Sequence, residues 1–307
     1  MRFELLPPLP AVLLAEQLRH IPLFSFVAVD ELFRISSIAR QVRHEAGASI
    51  QEAGAPVEYI QVLVEGKIRI GAKDGDEQET SPPALLGFRE VLEGVPLRET
   101  ARAIESSICL AIAAEEFRAL LSDDIELAAG LFRQLLGAPS KNGSPSVLRQ
   151  AVNPQDKALA LRGDQDLKPI EKVLLLQELP IFSRSTAEEL FALAAITRRL
   201  PLVENQRVFS EGDSPAIYIL LSGELSIHPP DEGGGDARSE VVRPGDALAL
   251  QETLSGNRFD WRATVVKGGV ALRIERDKLF EVLADQEDLL QGLFSALFRS
   301  DSGTRGQ

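Results

Sequence analysis

Ile21-Pro22-Leu23-Phe24-Ser25 returns 158 residues later as Leu179-Pro180-Ile181-Phe182-Ser183. Glu31-Leu32-Phe33 returns at the same offset as Glu189-Leu190-Phe191, and Glu52-Ala53-Gly54 as Glu211-Gly212 after a small gap. Farther along, Glu65-Gly66-Lys67-Ile68-Arg69-Ile70 pairs with Ser222-Gly223-Glu224-Leu225-Ser226-Ile227, and Gly130-Leu131-Phe132 with Gly292-Leu293-Phe294. Matches that keep their order over such a span mark an internal repeat. Two homologous domains are expected.

Each copy has the same layout. Residues 28–40 and 186–198 carry apolar side chains at helical spacing: Leu32, Ile35, Ile38 and Ala39, then Leu190, Leu193, Ala194 and Ile196. Asp30-Glu31 and Glu188-Glu189 place carboxylates where a helix begins and its dipole is positive. Short β-type runs follow: Tyr59–Val64, Lys67–Gly71 and Ile108–Ala113, then Ile217–Leu221, Glu224–His228 and Val270–Ile274. Many short strands punctuated by Gly, Pro and Asp argue for a roll or barrel rather than a parallel α/β sheet. Lys73–Pro83 and Pro229–Arg238 are read as exposed hairpin loops, and each copy closes with a helix, roughly 115–136 and 276–298.

These elements give domains at 1–137 and 167–300, a linker at 138–166 and a tail at 301–307. The linker begins Ala138-Pro139-Ser140-Lys141-Asn142-Gly143, a composition that builds no core. Leu167–Leu176 reads as a leader helix with Pro169 in its first turn.

Composition narrows the function classes. The 307 residues are 44% hydrophobic and 26% charged, a globular profile with room for two domains. A formal charge of −13 gives nucleic-acid binding no electrostatic footing. No window approaches the roughly 18 consecutive apolar residues of a membrane span, and Met1–Pro8 carries an acid and two prolines where a signal peptide needs an apolar run. The single cysteine, Cys109, lies in Ile108-Cys109-Leu110-Ala111-Ile112 and reads as a small core residue of a strand in a reducing, cytoplasmic setting. His20, His44 and His228 stand in unrelated places and read as surface residues, with no metal cluster. The acidic runs Asp74–Glu79 and Asp231–Asp236 lack calcium-loop spacing, and no nucleophile–base set presents itself. No catalysis is expected.

Leu167–Phe182, and Phe209-x-Glu211-Gly212-Asp213 followed by Tyr218-Ile219-Leu220-Leu221-Ser222-Gly223-Glu224-Leu225, resemble cyclic-nucleotide-binding domains. Arg243-Pro244-Gly245-Asp246 resembles the family's late turn before the nucleotide cassette. The first copy resembles it through Ala46–Gly54 and Val62–Ile70, so the likeness covers roughly 18–137 and 167–298. The resemblance implies a mainly β fold with flanking helices: two double-stranded β-helix domains of the jelly-roll type in tandem. It also implies a cassette in which a Gly-Glu pair binds the ribose and an arginine, three residues before a threonine, grips the cyclic phosphate.

The cassette is where this sequence departs from the pattern. In the first copy Gly87, Gly94 and Thr100 set the register, which puts Phe88 at the glutamate position and Leu97 at the arginine position, with Glu90 and Arg98 nearby. In the second copy the glutamate position falls on Leu250, after Ala249, with Glu252 close by. Asp260-Trp261 reads as a small insertion, so the arginine position is Phe259 counted from Gly256 and Trp261 counted back from Thr264; Arg258 and Arg262 flank it. A one-residue slip on an extended segment reverses a side chain, so Arg98 and Arg262 read as solvated charges unless a local bulge turns one inward. The candidate ligand-binding set is therefore Phe88, Glu90, Leu97, Arg98, Thr100, Leu250, Glu252, Arg258, Arg262 and Thr264.

Two functions remain. One is a regulatory or interaction module with lost or altered nucleotide binding, acting on a protein partner or by self-association, with no cofactor expected. The other is a sensor for cAMP, cGMP or a cyclic dinucleotide, with the second domain the better candidate. The family often caps the purine with a long C-terminal helix, yet the apolar pattern here stops at Phe298, leaving the second domain without an obvious lid. A helix-turn-helix regulator needs a further domain after the roll, and a kinase inhibitory segment needs an Arg-Arg-x-Ser-like run, whereas residues 1–18 hold only Arg2 and no serine.

Overall fold

The computed structural model describes residues 3–25, 27–72, 77–136, 147–149, 167–179, 182–183, 185–228 and 239–302. They fall into two compact units, residues 1–131 with 294–307, and residues 132–293.

The first unit is a two-sheet roll. One sheet runs β1 (Glu4–Leu5), β2 (Ala39–His44), β9 (Ser107–Ala113), β4 (Tyr59–Glu65), β7 (Ala84–Leu86). The other runs β3 (Ser49–Gln51), β8 (Glu99–Ala103), β5 (Ile68–Ala72), β6 (Gln78–Thr80). Each pairing is antiparallel. Ile50, Leu63, Ile68 and Cys109 are fully buried between the sheets, each aliphatic chain contributing roughly 1.5–3 kcal/mol by leaving water. Cys109 is thus the core residue of a strand that its neighbours predict, and burial pushes its thiol up to about 12.

The helices of this unit are α1 (Ala11–Arg19), α2 (Val29–Ile38), the short α3 (Phe88–Glu93) and α4 (Ala114–Asp123), and α5 (Ile125–Leu136) follows, its residues from Phe132 on belonging to the second unit. The closing helix expected at 115–136 is two helices. Asp124 leaves the helical region (φ −126°, ψ 85°), and its carboxylate accepts the Leu127 N–H at 3.3 Å and caps the second piece. The helix expected at 276–298 is likewise α9 (Arg276–Asp285) and α10 (Glu287–Ser302), parted at Gln286 (φ −132°, ψ 86°).

The second unit repeats the roll in one seven-stranded sheet. Its path is β10 (Val147–Leu148), β15 (Ala247–Leu248), β13 (Ala216–His228), β16 (Arg262–Glu275), β11 (Arg198–Leu202). β12 (Arg207–Phe209) joins β16, and β14 (Glu240–Val242) joins β13. The runs Ile217–Leu221 and Glu224–His228, expected as separate strands, are one bent β13 whose register shifts between Leu220 and Leu225. Gly223 (φ 92°) makes the bend, because a Cβ there would lie 2.5 Å from the Lys267 carbonyl oxygen. Its counterpart Gly66 (φ 93°) has no room either: a Cβ would fall on Ser107.

α6 (Pro169–Glu178) is the expected leader helix, begun by Pro169 and by Glu171, whose carboxylate accepts the Lys168 N–H at 2.7 Å. α7 (Ala187–Ile196) starts with a reciprocal cap in which Thr186 and Glu189 each bind the other's backbone N–H. α8 (Leu250–Ser255) corresponds to α3.

Three further expectations are corrected. Val147 and Leu148, inside the stretch read as linker, form β10, and Arg149 beside them pairs with Glu240 and with Asp246, the latter at 2.9 Å. Lys73–Pro83, read as a loop, contains β6 because Gln78–Thr80 pair with Ile68–Ile70. His44, read as a surface residue, is fully buried in β2 against the edge of Phe3 (ring centroids 6.0 Å), and burial lowers its pKa against the raising effect of Gln61. The hairpin 229–238 and the tail from 303 lie outside the described residues. Among the described residues no helix is long and apolar enough to cross a membrane, and no group of His, Cys, Asp or Glu is arranged to hold a metal ion.

Candidate cassette sites in the two rolls

Backbone geometry places the two cassettes in register. In the first roll the Leu97 carbonyl accepts the Gly54 N–H at 2.7 Å; in the second the Phe259 carbonyl accepts the Gly212 N–H at 2.7 Å. Ala101 lies opposite Gln51 and Ile70, and Ala263 lies opposite Phe209 and Ile227. The spacing is 162 residues from Gly94 to Gly256 and stays 162 from Leu97 to Phe259 and from Thr100 to Arg262. Relative to the first roll, Asp260-Trp261 is therefore no insertion, and the count from Gly256 is the one that keeps the two rolls in register. The partner of Thr100 is Arg262, and Thr264 lies two residues farther down β16 against Arg207 and Ser226.

α3 and α8 both begin and end on left-handed residues: Gly87 (φ 73°) and Gly94 (φ 66°), then Ala249 (φ 66°) and Gly256 (φ 77°). A non-glycine residue in that region costs about 1 kcal/mol or more, so Ala249 carries strain that Gly87 does not. Phe88 is buried, edge-on to Phe24 (6.1 Å) and Phe117 (5.7 Å); Leu250 is buried as well. Neither offers an acceptor for a ribose. Glu90 and Glu252 lie half-buried in the first turns of their helices.

Leu97 and Phe259, the positions expected from the sequence to correspond to the family's arginine, are both buried. Leu97 is 5% exposed and Phe259 2% exposed. Arg98 binds Glu93 through both guanidinium nitrogens, one contact at 2.9 Å, while Arg89 Nε reaches the same carboxylate at 2.5 Å. Burial of Glu93 would raise its carboxyl, and the hydrogen bonds and charges of Arg98 and Arg89 outweigh that and hold it below the usual range. The bond from Glu93 raises Arg98 in turn. Arg89 and Arg98 thus share the charge of one buried carboxylate. Arg98 is a half-exposed side chain paired with Glu93. In the second roll Arg258 donates to the Gly212 carbonyl at 2.6 Å, and Arg262 stands 3.9 Å from Glu211.

The interiors beside these positions differ. Phe259 stacks on Phe209 at 4.2 Å, Trp261 meets Phe209 edge-on at 4.8 Å, and Tyr218 closes the group at 5.3 Å from Phe209. Burial pushes the Tyr218 hydroxyl up, against the opposing effect of Arg273. By register, Phe209, Phe259 and Trp261 stand where the first roll has Gln51, Leu97 and Glu99. With those smaller or outward side chains the first roll keeps a cavity of about 500 Å³, lined by Ser49, Ile50, Gln51, Glu52, Glu58 and Leu97 among others. Gln51 Nε2 donates to the Glu99 carbonyl at 3.2 Å, and Thr100 Oγ1 accepts the Ala53 N–H at 3.1 Å. Of the ten sequence candidates, only Leu97 lines this cavity. Gln51, Phe209, Tyr218 and Glu93 are absent from the sequence candidates; the repeat offset that pairs Gln51 with Phe209 is the signal that could find the first two.

Residues 41–124 and 199–286 match the Cyclic nucleotide-binding domain family, and the chain belongs to that family, carrying two copies in tandem. A cGMP-dependent protein kinase of Drosophila melanogaster, isozyme 2 forms cD5/T2, is 32% identical over 114 residues, 34% of this chain and 12% of the kinase. A second group of forms of the same isozyme matches at the same identity over 10% of its length, so the chain spans about a tenth of these curated relatives. Among solved structures, the regulatory domain of Toxoplasma gondii PKA with cAMP is 14% identical, with 96% of this chain and 97% of that chain covered and a TM-score of 0.35. The regulatory subunit of a cAMP-independent protein kinase A from Trypanosoma cruzi bound to guanosine is 14% identical, with 99% and 97% covered and a TM-score of 0.36.

Proposed function

We propose that the two rolls form a non-catalytic regulatory module that works through protein contacts, on a partner or on itself, in a cytoplasmic setting, with cyclic-nucleotide binding lost. One observation carries this reading: Leu97 and Phe259, which the family resemblance puts at the cassette arginine positions, are buried apolar side chains. A cyclic phosphate seated there would meet no guanidinium fork and would lose its hydration uncompensated. In the second roll Phe209 and Trp261 pack against Phe259. In the first, Arg98 is committed to Glu93, and Glu52 and Glu58 at the cavity repel an anion.

A thermal-shift panel of cAMP, cGMP and cyclic dinucleotides tests the reading. No dose-dependent rise in Tm is expected for any of them. A saturable rise that Arg262→Ala abolishes would establish the sensor instead.

The sensor reading keeps one supporting observation, and it moves the better candidate from the second roll to the first. The first roll alone of the two has Gln51 and Leu97 where the other has Phe209 and Phe259, and it has the 500 Å³ cavity. Saturable binding of a cyclic nucleotide lost on Leu97→Trp, which fills that space, would favour it.

A further inference from the structure

The second unit holds a concentration of positive charge that its roll does not require. Arg133, Arg258, Arg273 and Arg276 line a cavity of about 400 Å³ together with Glu275 and Asp277, all within that unit. Four guanidinium groups against two carboxylates leave it a net charge of +2, in a chain whose formal charge is −13. The cavity shares no side chain with the aromatic group that fills the cassette interior.

The repeat shows that these arginines are not structural necessities. Ile112 lies opposite Ile60 in the first roll as Ile274 lies opposite Ile217 in the second, so the closing strands correspond at the 162-residue offset. At that offset Arg258, Arg273 and Arg276 stand where the first roll has Pro96, Ala111 and Ala114. The same roll closes on a proline and two alanines, and the second copy alone has placed three cations there.

The arginines are also held in place. Arg258 donates to the Gly212 carbonyl at 2.6 Å, Arg273 pairs with Glu275 at 3.1 Å, and Arg276 lies 4.3 Å from the centre of the Phe280 ring. The Nε–H of Arg273 is buried and meets no acceptor among the described residues. α9 begins at this wall, and Glu275, its capping residue, makes no side-chain bond to the first turn. The positive end of the α9 dipole faces the same wall, offset in part by Asp277 in its first turn.

We infer that this cavity, which takes Gly256 and Arg258 from the edge of the cassette but no side chain of its aromatic interior, is an anion site for a small molecule carrying two adjacent phosphate groups. Its volume suits a small ligand rather than a docked protein segment. Guanidinium forks match phosphate oxygens in pairs, and with two carboxylates in the wall a singly charged anion gains little where a pyrophosphate gains much.

Calorimetric titration of the full chain with inorganic pyrophosphate tests the site. One saturable event is expected, weakened severalfold between about 50 and 200 mM salt. Arg258→Gln and Arg133→Gln should each weaken binding about tenfold or more, the loss of one charge-assisted bond to phosphate. Arg69→Gln, in the first unit, should leave it unchanged. Circular dichroism checks the fold of each variant, and if Arg258→Gln disturbs it, Arg133→Gln decides. Absence of saturable heat at millimolar pyrophosphate, or undiminished binding in Arg133→Gln, overturns the site. Neither result depends on whether cyclic nucleotides bind.

Discussion

Glu93 and Phe259 carry, at the scale of single residues, what the proposed loss of nucleotide binding requires. The Glu93 carboxyl sits below its ordinary value of about 4.5 in the folded chain. A depressed folded pKa contributes stability that is present above the unfolded value and is lost as pH falls through the folded one. Denaturant unfolding followed downward from about pH 6 should therefore show stability falling below about pH 4.5, and Glu93→Gln should remove that part of the slope. An identical slope in the variant would show that the ion pair contributes nothing. Phe259 is 2% exposed and in contact with two aromatic rings, so Phe259→Ala should cost about 3–5 kcal/mol by denaturant unfolding. A loss under about 1 kcal/mol would mean that the interior is not closed by this ring. Cys109, buried with its thiol pushed up to about 12, should resist a thiol reagent in the native chain and react fully once unfolded.

The strands and helices explain what can be seen in the sequence and what cannot. Periodicity finds the helices and the glycine-anchored strands because burial of one face writes itself into the residue order. It does not find the breaks at Asp124 and Gln286, where apolar spacing continues across residues that leave the helical region. It splits β13 at Gly223, since a bend that keeps strand hydrogen bonding on both sides reads as a turn. Gly223→Ala tests that bend: with φ at 92° and a carbonyl oxygen 2.5 Å from the new methyl, Tm should fall by about 10 °C or more. An unchanged Tm would mean that the corner has slack. The cassette register is hidden for a related reason. Counting from Thr264 assumes that a threonine must follow the arginine position, whereas the ladder puts Arg262 there. Leu97 and Phe259 are legible as replacements, but Gln51 and Phe209 lie on strands some 50 residues upstream, and only pairing brings them beside the cassette.

Over the whole chain, one architecture appears twice with different interiors. The duplicated fold, the family and the mainly β class are all legible in the repeat, because corner glycines and core positions are fixed by the backbone. The chemistry is legible only as what is missing. Both rolls hold a short helix, α3 and α8, between left-handed ends, and on the proposed reading buried Leu97 and Phe259 stand in place of a phosphate fork. The most direct measurement is calorimetric titration of the full chain with cAMP and with cGMP. The account predicts no saturable heat from either up to about 1 mM, a binding free energy weaker than about −4 kcal/mol. Saturable micromolar binding of either nucleotide, abolished by Arg262→Ala or by Leu97→Trp, would contradict it.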